Sequence, residues 1–299
     1  MVDIGANLLN GQFRDDLDAV LARARGAGLS HMMVTATNVA DSAAAIDLCR
    51  GHADLSCTVG VHPHAAAKTL AEGGDWVAHL RALAGQEQTW RCPRPKSGRS
   101  PGARVDSGES PAPRSRKIVC AIGEAGLDFY RNFSPPADQR AVFDAQILLA
   151  AELGLPLFVH DRDSGGAVYD ALIKHAGQLN GVVIHCFTGD EADLRRYLAA
   201  GFHIGVTGWV CDRRRGERLR GLIPQIPVDR LLIETDAPFL LPHGAASPTA
   251  DKRRNEPCLL PFIAGAIAEL LDMPASELAR QTAANAKRLF GLSEGSTDP

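Results

Sequence analysis

The sequence predicts an α/β protein closed into a TIM (β/α)₈ barrel, and three observations carry the prediction. Short apolar, β-branched runs alternate with amphipathic stretches along the chain. About eight such runs occur, the number a closed barrel needs. The 299 residues are enough for one barrel, which takes roughly 250. The competing arrangement is an open doubly wound sheet, and its dinucleotide-binding version is disfavoured because no GxGxxG follows the first run.

Taken in order, strands are expected at 1–7, 31–36, 55–61, 118–124, 156–160, 181–186, 202–207 and 230–234. The clearest helical patterns lie between them, at 15–28, 41–51, 138–153, 163–176, 190–200 and 214–222. Ser134 followed by Pro135 and Pro136 makes a helix start, a cap with proline in the first turn. Gly154 and Pro156 close that helix before the next strand. The stretch 90–117 departs from the pattern. Rich in Pro, Ser, Gly and Arg and nearly without large apolar residues, it cannot bury enough surface to offset its ordering entropy. It reads as a disordered insertion in a single domain, 1–292, with 293–299 a flexible tail.

Composition bounds the function. A hydrophobic share of 45% suits a globular chain, and a net charge of -3 neither announces nor excludes a nucleic-acid binder, since a local basic patch is sufficient. The seven cysteines form no CxxC pair and are odd in number, which argues against a disulfide framework and for a reducing, cytoplasmic setting. No stretch approaches the roughly 18 apolar residues of a membrane span, and the default assembly is a monomer.

The chemistry is expected where strands end. His62 and His64 close CTVGVHPH, Glu124 lies in CAIGEAGLDF, His160 ends LPLFVH, His185 ends VVIH and Asp236 ends LLIETDAP. Apolar runs that terminate in His, Glu or Asp are what a barrel produces when its C-terminal mouth collects catalytic side chains. One such histidine alone is more often a core or capping residue. Several ionisable groups in one mouth would be costly to bury, and a divalent cation removes much of that cost. Glu124, His160, His185 and Asp236 are therefore candidate metal ligands, with Glu124 and Asp236 the catalytic carboxylates of a metal-dependent hydrolase. No Ser or Cys nucleophile is indicated, since GxSxG is missing and Cys186 reads as packing. Candidate substrate contacts are His62, His64, Arg162 beside His160, the arginines 213–215 with Arg218, and the basic run 252–254 with Asn255 after it. Tyr130 and Trp209 stand on rim loops, where stacking on a base is open to them, and packing is the preferred reading.

DIGANL, GVHPH, GEAGLDF, FVHDRD, HCFTG, GWVCD, ETDAPFLLP and RRNEP stand in the order and setting of the TatD family of metal-dependent deoxyribonucleases, which the chain resembles from residue 1 to 292 apart from the insertion. The resemblance implies a TIM-barrel hydrolase that removes nucleotides from DNA ends, a 3′→5′ exonuclease on single-stranded DNA with RNA as an open alternative, and a role in DNA repair. It also implies that Glu124, His160 and His185 ligate the metal and that Asp236 is a ligand or general base. Many members carry an HxH pair on the first strand where this chain has Gly5 and Asn7. One firm site and a weaker second, helped by Asn7, are therefore expected. The resemblance points to Mg²⁺, whereas two imidazoles favour Zn²⁺ or Mn²⁺ by ligand softness. Two other functions compete: a small-molecule amidohydrolase or lactonase on the same metal barrel, and an idle scaffold that binds DNA.

Overall fold

Eight parallel strands pair strictly in chain order, β1 to β8, in one sheet of a computed structural model that describes residues 1–85 and 117–292. The sheet closes on itself after β8. Asn7 N–H donates to Ala237 O at 2.7 Å and Asp236 N–H donates to Gly5 O at 2.8 Å. The expected insertion at 90–117 lies, except for Lys117, outside the described residues, as does the tail 293–299.

The strands are β1 (Val2–Ala6), β2 (His31–Val34), β3 (Leu55–Val59), β4 (Val119–Asp128), β5 (Leu157–Arg162), β6 (Val182–His185), β7 (His203–Val206) and β8 (Leu231–Ile233). The helices are α1 (Leu17–Gly26), α2 (Val39–Arg50), α3 (Ala66–Glu72), α4 (Trp76–Gly85), α5 (Pro136–Leu153), α6 (Ala167–Ile173), α7 (Glu191–Ala199), α8 (Glu217–Leu222), α9 (Leu260–Leu270) and α10 (Ala275–Phe290). Each predicted strand is present, and β4 runs on from Glu124 to Asp128. Four helices, α3, α4, α9 and α10, were not among the predicted patterns. The last was legible nonetheless: Leu278, Thr282, Ala286 and Phe290 recur at helical spacing on its buried side, and Gly291 ends it at φ 64°. No single helix among the described residues is long and apolar enough to cross a membrane.

Alternation along the strands sorts the apolar side chains into two layers. Leu157 and Val159 of β5, Val182 and Ile184 of β6, and Leu231 and Ile233 of β8 belong to the large cluster shared with the helices. Phe158, Val183 and Leu232, one step out of phase, join Val2, Ile4, Met33 and Cys120 in a smaller cluster, to which Ala286 and Phe290 of α10 contribute. That smaller set fills the barrel interior beneath the mouth.

One irregularity sets the site. Ile122 pairs with Leu157 and Ala125 with Val159, so three residues of β4 span two of β5. The extra residue is a β-bulge, and it reverses the parity of everything beyond it. Ile122 belongs to the outer cluster. Glu124, Gly126 and Asp128 would share its face in a regular strand and instead point into the mouth.

Candidate active site

Inner-face positions at the C-terminal ends of the strands bring the polar residues together. On β5 the inner series continues from Phe158 through His160 to Arg162. His160 is level with Gly126 of β4 on one side and His185 of β6 on the other. Glu124 and Asp128 therefore lie one step below and one step above the His160 ring. Nδ1 of His160 is 3.0 Å from Glu124 Oε1, and Nε2 is 3.4 Å from Asp128 Oδ2. The same Glu124 oxygen stands 3.3 Å from His62 Nε2 and 3.5 Å from His185 Nε2. His62 is held by its other nitrogen, which accepts the His64 backbone N–H at 3.1 Å. Asp128 Oδ2 also meets His64 Nε2 at 2.6 Å. Only glycine fits at 126, where φ is +144° and a Cβ would stand 1.9 Å from His160 O.

Across the mouth, Asp236 follows β8 and accepts from Asn7 Nδ2 at 2.9 Å. Ligand atoms of His185, Cys186 and Asp236 lie within 4.8 Å of one another, as do those of His62, Glu124 and His160. Behind them Glu234 is fully buried. Its Oε2 is 2.7 Å from His185 Nδ1, and its Oε1 accepts the Cys186 backbone N–H at 2.7 Å. Two glycines make room for it. A Cβ on Gly5 would come within 2.4 Å of Glu234 Oε2, and one on Gly205 within 2.6 Å of Oε1. The first place of the HxH pair is thus occupied by glycine for a steric reason: a side chain there would collide with the carboxylate that orients His185.

Electrostatics separate these groups. Burial would keep Glu124 protonated, but the charges of His62 and His185 and the hydrogen bonds of His160 and His62 outweigh it and hold the carboxyl well below its usual range. Burial likewise opposes charge on His160, yet the carboxylates of Asp128 and Glu124 beside its ring raise it to about 9. For His185, burial is outweighed by the charges of Glu234 and Glu124, which lift it to about 10. His62 goes the other way: burial prevails over Glu124 and brings it down to about 4. Burial, reinforced by Glu124 and Glu234, pushes Asp236 up to about 7 against the pull of His185 and Asn7.

The donor set fits a divalent cation. His160 Nε2 is buried without a well-formed hydrogen bond. Four imidazoles and several carboxylates around a cavity of about 1210 Å³ are borderline-to-hard ligands, and their crowding is costly without a positive centre.

The profile of the family described as TatD related DNase matches residues 2–291. The chain belongs to this family. Its membership makes it a metal-dependent hydrolase of the DNase class. A protein from Erwinia amylovora named 3'-5' ssDNA/RNA exonuclease TatD is 47% identical over 293 residues, 98% of this chain and 100% of that one. A protein of the same name from Cronobacter sakazakii is 44% identical over 290 residues, 97% of each chain. Among solved structures, a TatD homologue from Escherichia coli K12 matches with a TM-score of 0.78 at 26% identity over 98% of both chains. A TatD family hydrolase from Entamoeba histolytica matches at 0.77 and 25% over 97% of both.

In this TatD-family chain Glu124, His160, His185 and Asp236 all line one cavity, with His62, His64, Asn7 and Arg162. His62, expected as a substrate contact, lies within the Glu124 cluster instead. Asn255 is a correction. It is fully buried, its Nδ2 donates to Thr235 O at 2.8 Å and Phe239 O at 2.7 Å, and its Oδ1 accepts the Glu256 N–H. It clamps the loop that carries Asp236 and does not face the cavity. Arg254 is likewise structural, pairing with Asp16 and Glu256 at 2.6 Å each. Two residues were missed. Asp128 was hidden by the bulge, though its place four residues after Glu124 in one strand is a usable signal. Glu234 stands two residues before Asp236, and its role depends on glycines distant in sequence.

Proposed function

We propose that this chain hydrolyses phosphodiester bonds at the 3′ ends of single-stranded DNA, and of RNA as well, as an exonuclease dependent on a divalent cation. The observation that carries the reading is the convergence of His62, His160 and His185 on one oxygen of Glu124, with Asp236 lining the same cavity. The name borne by relatives such as that of Erwinia amylovora supports the polarity and the single-stranded substrate. The family match sets the amidohydrolase alternative aside.

Glu124, His160, His185 and Asp236 would hold the cation, joined by His62. A divalent cation bound there supplies Lewis acidity, which readies water for attack near neutral pH and polarises a phosphoryl oxygen. The chain's own residues do the rest. Asp236 would offer the oxygen that Asn7 leaves free as the acceptor for a proton from water. Glu234 keeps the Nδ1 proton of His185 directed toward itself, so that Nε2 faces the cluster. Burial and the nearby carboxylates push the Cys186 thiol well above its usual range, which removes it as a nucleophile. His64 and Arg162, farther out, face the incoming strand. Mg²⁺ is the working ion in this reading, in keeping with the carboxylates Glu124 and Asp236, while Mn²⁺ or Zn²⁺ would suit the imidazoles. The biological role that goes with this chemistry is DNA repair or turnover in the cytoplasm.

The test is digestion of end-labelled single-stranded oligonucleotides with Mg²⁺, without metal and with Glu124→Gln. Stepwise shortening from the 3′ end is expected, abolished by chelator and reduced by about 100-fold or more in the variant, at or beyond the upper end of what outer-shell partners cost. Undiminished degradation by Glu124→Gln would place the chemistry elsewhere.

A further inference from the structure

Aromatic residues make up only 5% of the chain, yet Tyr130, Phe133, Trp209 and Phe239 all line the cavity. Among the described residues the aromatic side chains that are strongly exposed are Tyr130 at 61%, Phe133 at 65%, Phe239 at 48% and Phe262 at 42%. The first three line the active-site cavity, together with Trp209. Exposing aromatic surface to water is unfavourable, so three at one mouth ask for an occupant. The sequence reading of Tyr130 as a packing residue does not survive this placement, whereas Trp209 is partly buried against the core and turns its remaining surface to the cavity.

Guanidinium groups interleave with the rings. The Arg162 guanidinium carbon lies 4.8 Å from the Tyr130 ring centre and 5.3 Å from that of Trp209. That of Arg215 lies 4.6 Å from the other neighbour in the row, again Trp209, whose Nε1–H donates to Arg215 O at 3.2 Å. The resulting row, Tyr130–Arg162–Trp209–Arg215, joins the loops that follow β4 and β7 through the end of β5. Arg215 is partly neutralised by Asp212 at 2.7 Å. Arg162 has no carboxylate partner among the described residues, only the faces of two rings, so its charge is free for a phosphate. It stands two residues beyond His160 on the same face of β5, about 6.6 Å farther out at the rise of a parallel strand.

We propose that Tyr130, Arg162, Trp209 and Arg215, in a cavity that Phe133 and Phe239 also line, form a stacking track for the nucleotides of a single strand adjacent to the phosphate being cut. Bases lie on the rings and phosphates on the guanidinium groups. Every base has a π-face, so the track is indifferent to sequence, and a paired base inside a duplex cannot offer its face to a ring. The preference for single strands then resides in this rim and not in the cation site. The proposal rests on the nuclease reading for its substrate, and its test separates the two.

Binding and cleavage of a short oligothymidylate are compared with those of a sugar–phosphate oligomer of equal length that lacks bases. Binding is followed with chelator present, by tryptophan emission. Wild type should bind the thymidylate about ten-fold tighter than the abasic strand, the worth of a stacked base, with quenching that Trp209→Phe removes. Tyr130→Ala, at an exposed position that leaves folding intact, and Trp209→Ala should each erase most of this discrimination. They should raise KM for the oligonucleotide about ten-fold while leaving its kcat at the wild-type value. Trp209→Phe should restore KM. If both alanine variants keep wild-type KM and full discrimination against the abasic strand, the track is wrong and the nuclease reading stands. If the protein binds thymidylate through these residues but cleaves no nucleic acid, the nuclease reading fails and the track stands.

Discussion

Replacing Glu234 with Gln removes a charge and almost no volume, and the structure says what should follow. Both carboxylate oxygens accept: Oε2 from His185 Nδ1 and Oε1 from the Cys186 N–H, each at 2.7 Å. An amide offers one acceptor oxygen, so its NH₂ must face one of these donors. One buried donor loses its partner, at a cost of about 1–3 kcal/mol in metal-free stability. The larger effect falls on the cation site. Burial alone would lower His185, and it is the charge of Glu234, ahead of that of Glu124, that lifts the ring to about 10. An imidazole without that carboxylate is a poorer donor at Nε2, and loss of such a partner lowers metal affinity about 10–100-fold. At about 1.4 kcal/mol per factor of ten this is roughly 1.4–2.8 kcal/mol. The assay is a Mn²⁺ titration by calorimetry beside the Mg²⁺ dependence of oligonucleotide cleavage, with thermal unfolding to show the variant is folded. Gly5→Ala keeps the charge but sets a methyl 2.4 Å from Glu234 Oε2, and it should reproduce the affinity loss. Should a folded Glu234→Gln protein bind metal as wild type does, the carboxylate only fills the space between Gly5 and Gly205, and the reasoning about His185 is refuted.

Further expectations follow from the same geometry. In metal-free protein His160 and His185 are raised from 6.5 to about 9 and about 10. Their ion pairs therefore contribute fully below pH 6.5 and are lost as pH rises through 9 to 10, so the melting temperature should fall across that window; a flat profile would contradict the shifts. A divalent cation must displace the same protons, so its affinity should rise with pH, and calorimetry near pH 7 in two buffers of different ionisation enthalpy should detect proton release. Gly126→Ala would put a Cβ 1.9 Å from His160 O at a φ of +144°, costing at least the 1–3 kcal/mol typical of overpacking; wild-type stability in urea would deny the close approach of β4 and β5. Arg254→Ala removes one of two arginines from the fully buried Glu256 and leaves Arg23 at 2.7 Å. About 3 kcal/mol should be lost, the lower end for a broken buried pair, with unchanged oligonucleotide affinity. Weaker binding at unaltered stability would make Arg254 a substrate contact after all.

What the sequence determined by itself was the scaffold and the identity of most cluster members. Strand runs ending in His, Glu or Asp are local facts: apolar periodicity marks the strand, and a polar terminus marks the mouth. For that reason Glu124, His160, His185 and Asp236 could be named without coordinates. Tertiary structure decided what local pattern cannot encode. The β4 bulge arises from how β4 pairs with β5, and it alone turns Glu124 and Asp128 inward, since parity counted along a regular strand would send both toward the helices. Glu234 has a role because Gly5 and Gly205, on two other strands, vacate the volume it needs. Asn255 and Arg254 looked like substrate contacts because polar and basic residues near a rim resemble a phosphate grip. Packing instead gave them buried partners. Tyr130 went the opposite way, from supposed filler to exposed ring beside Arg162. A residue type limits which interactions are possible, and the neighbours brought to it by distant parts of the chain select among them.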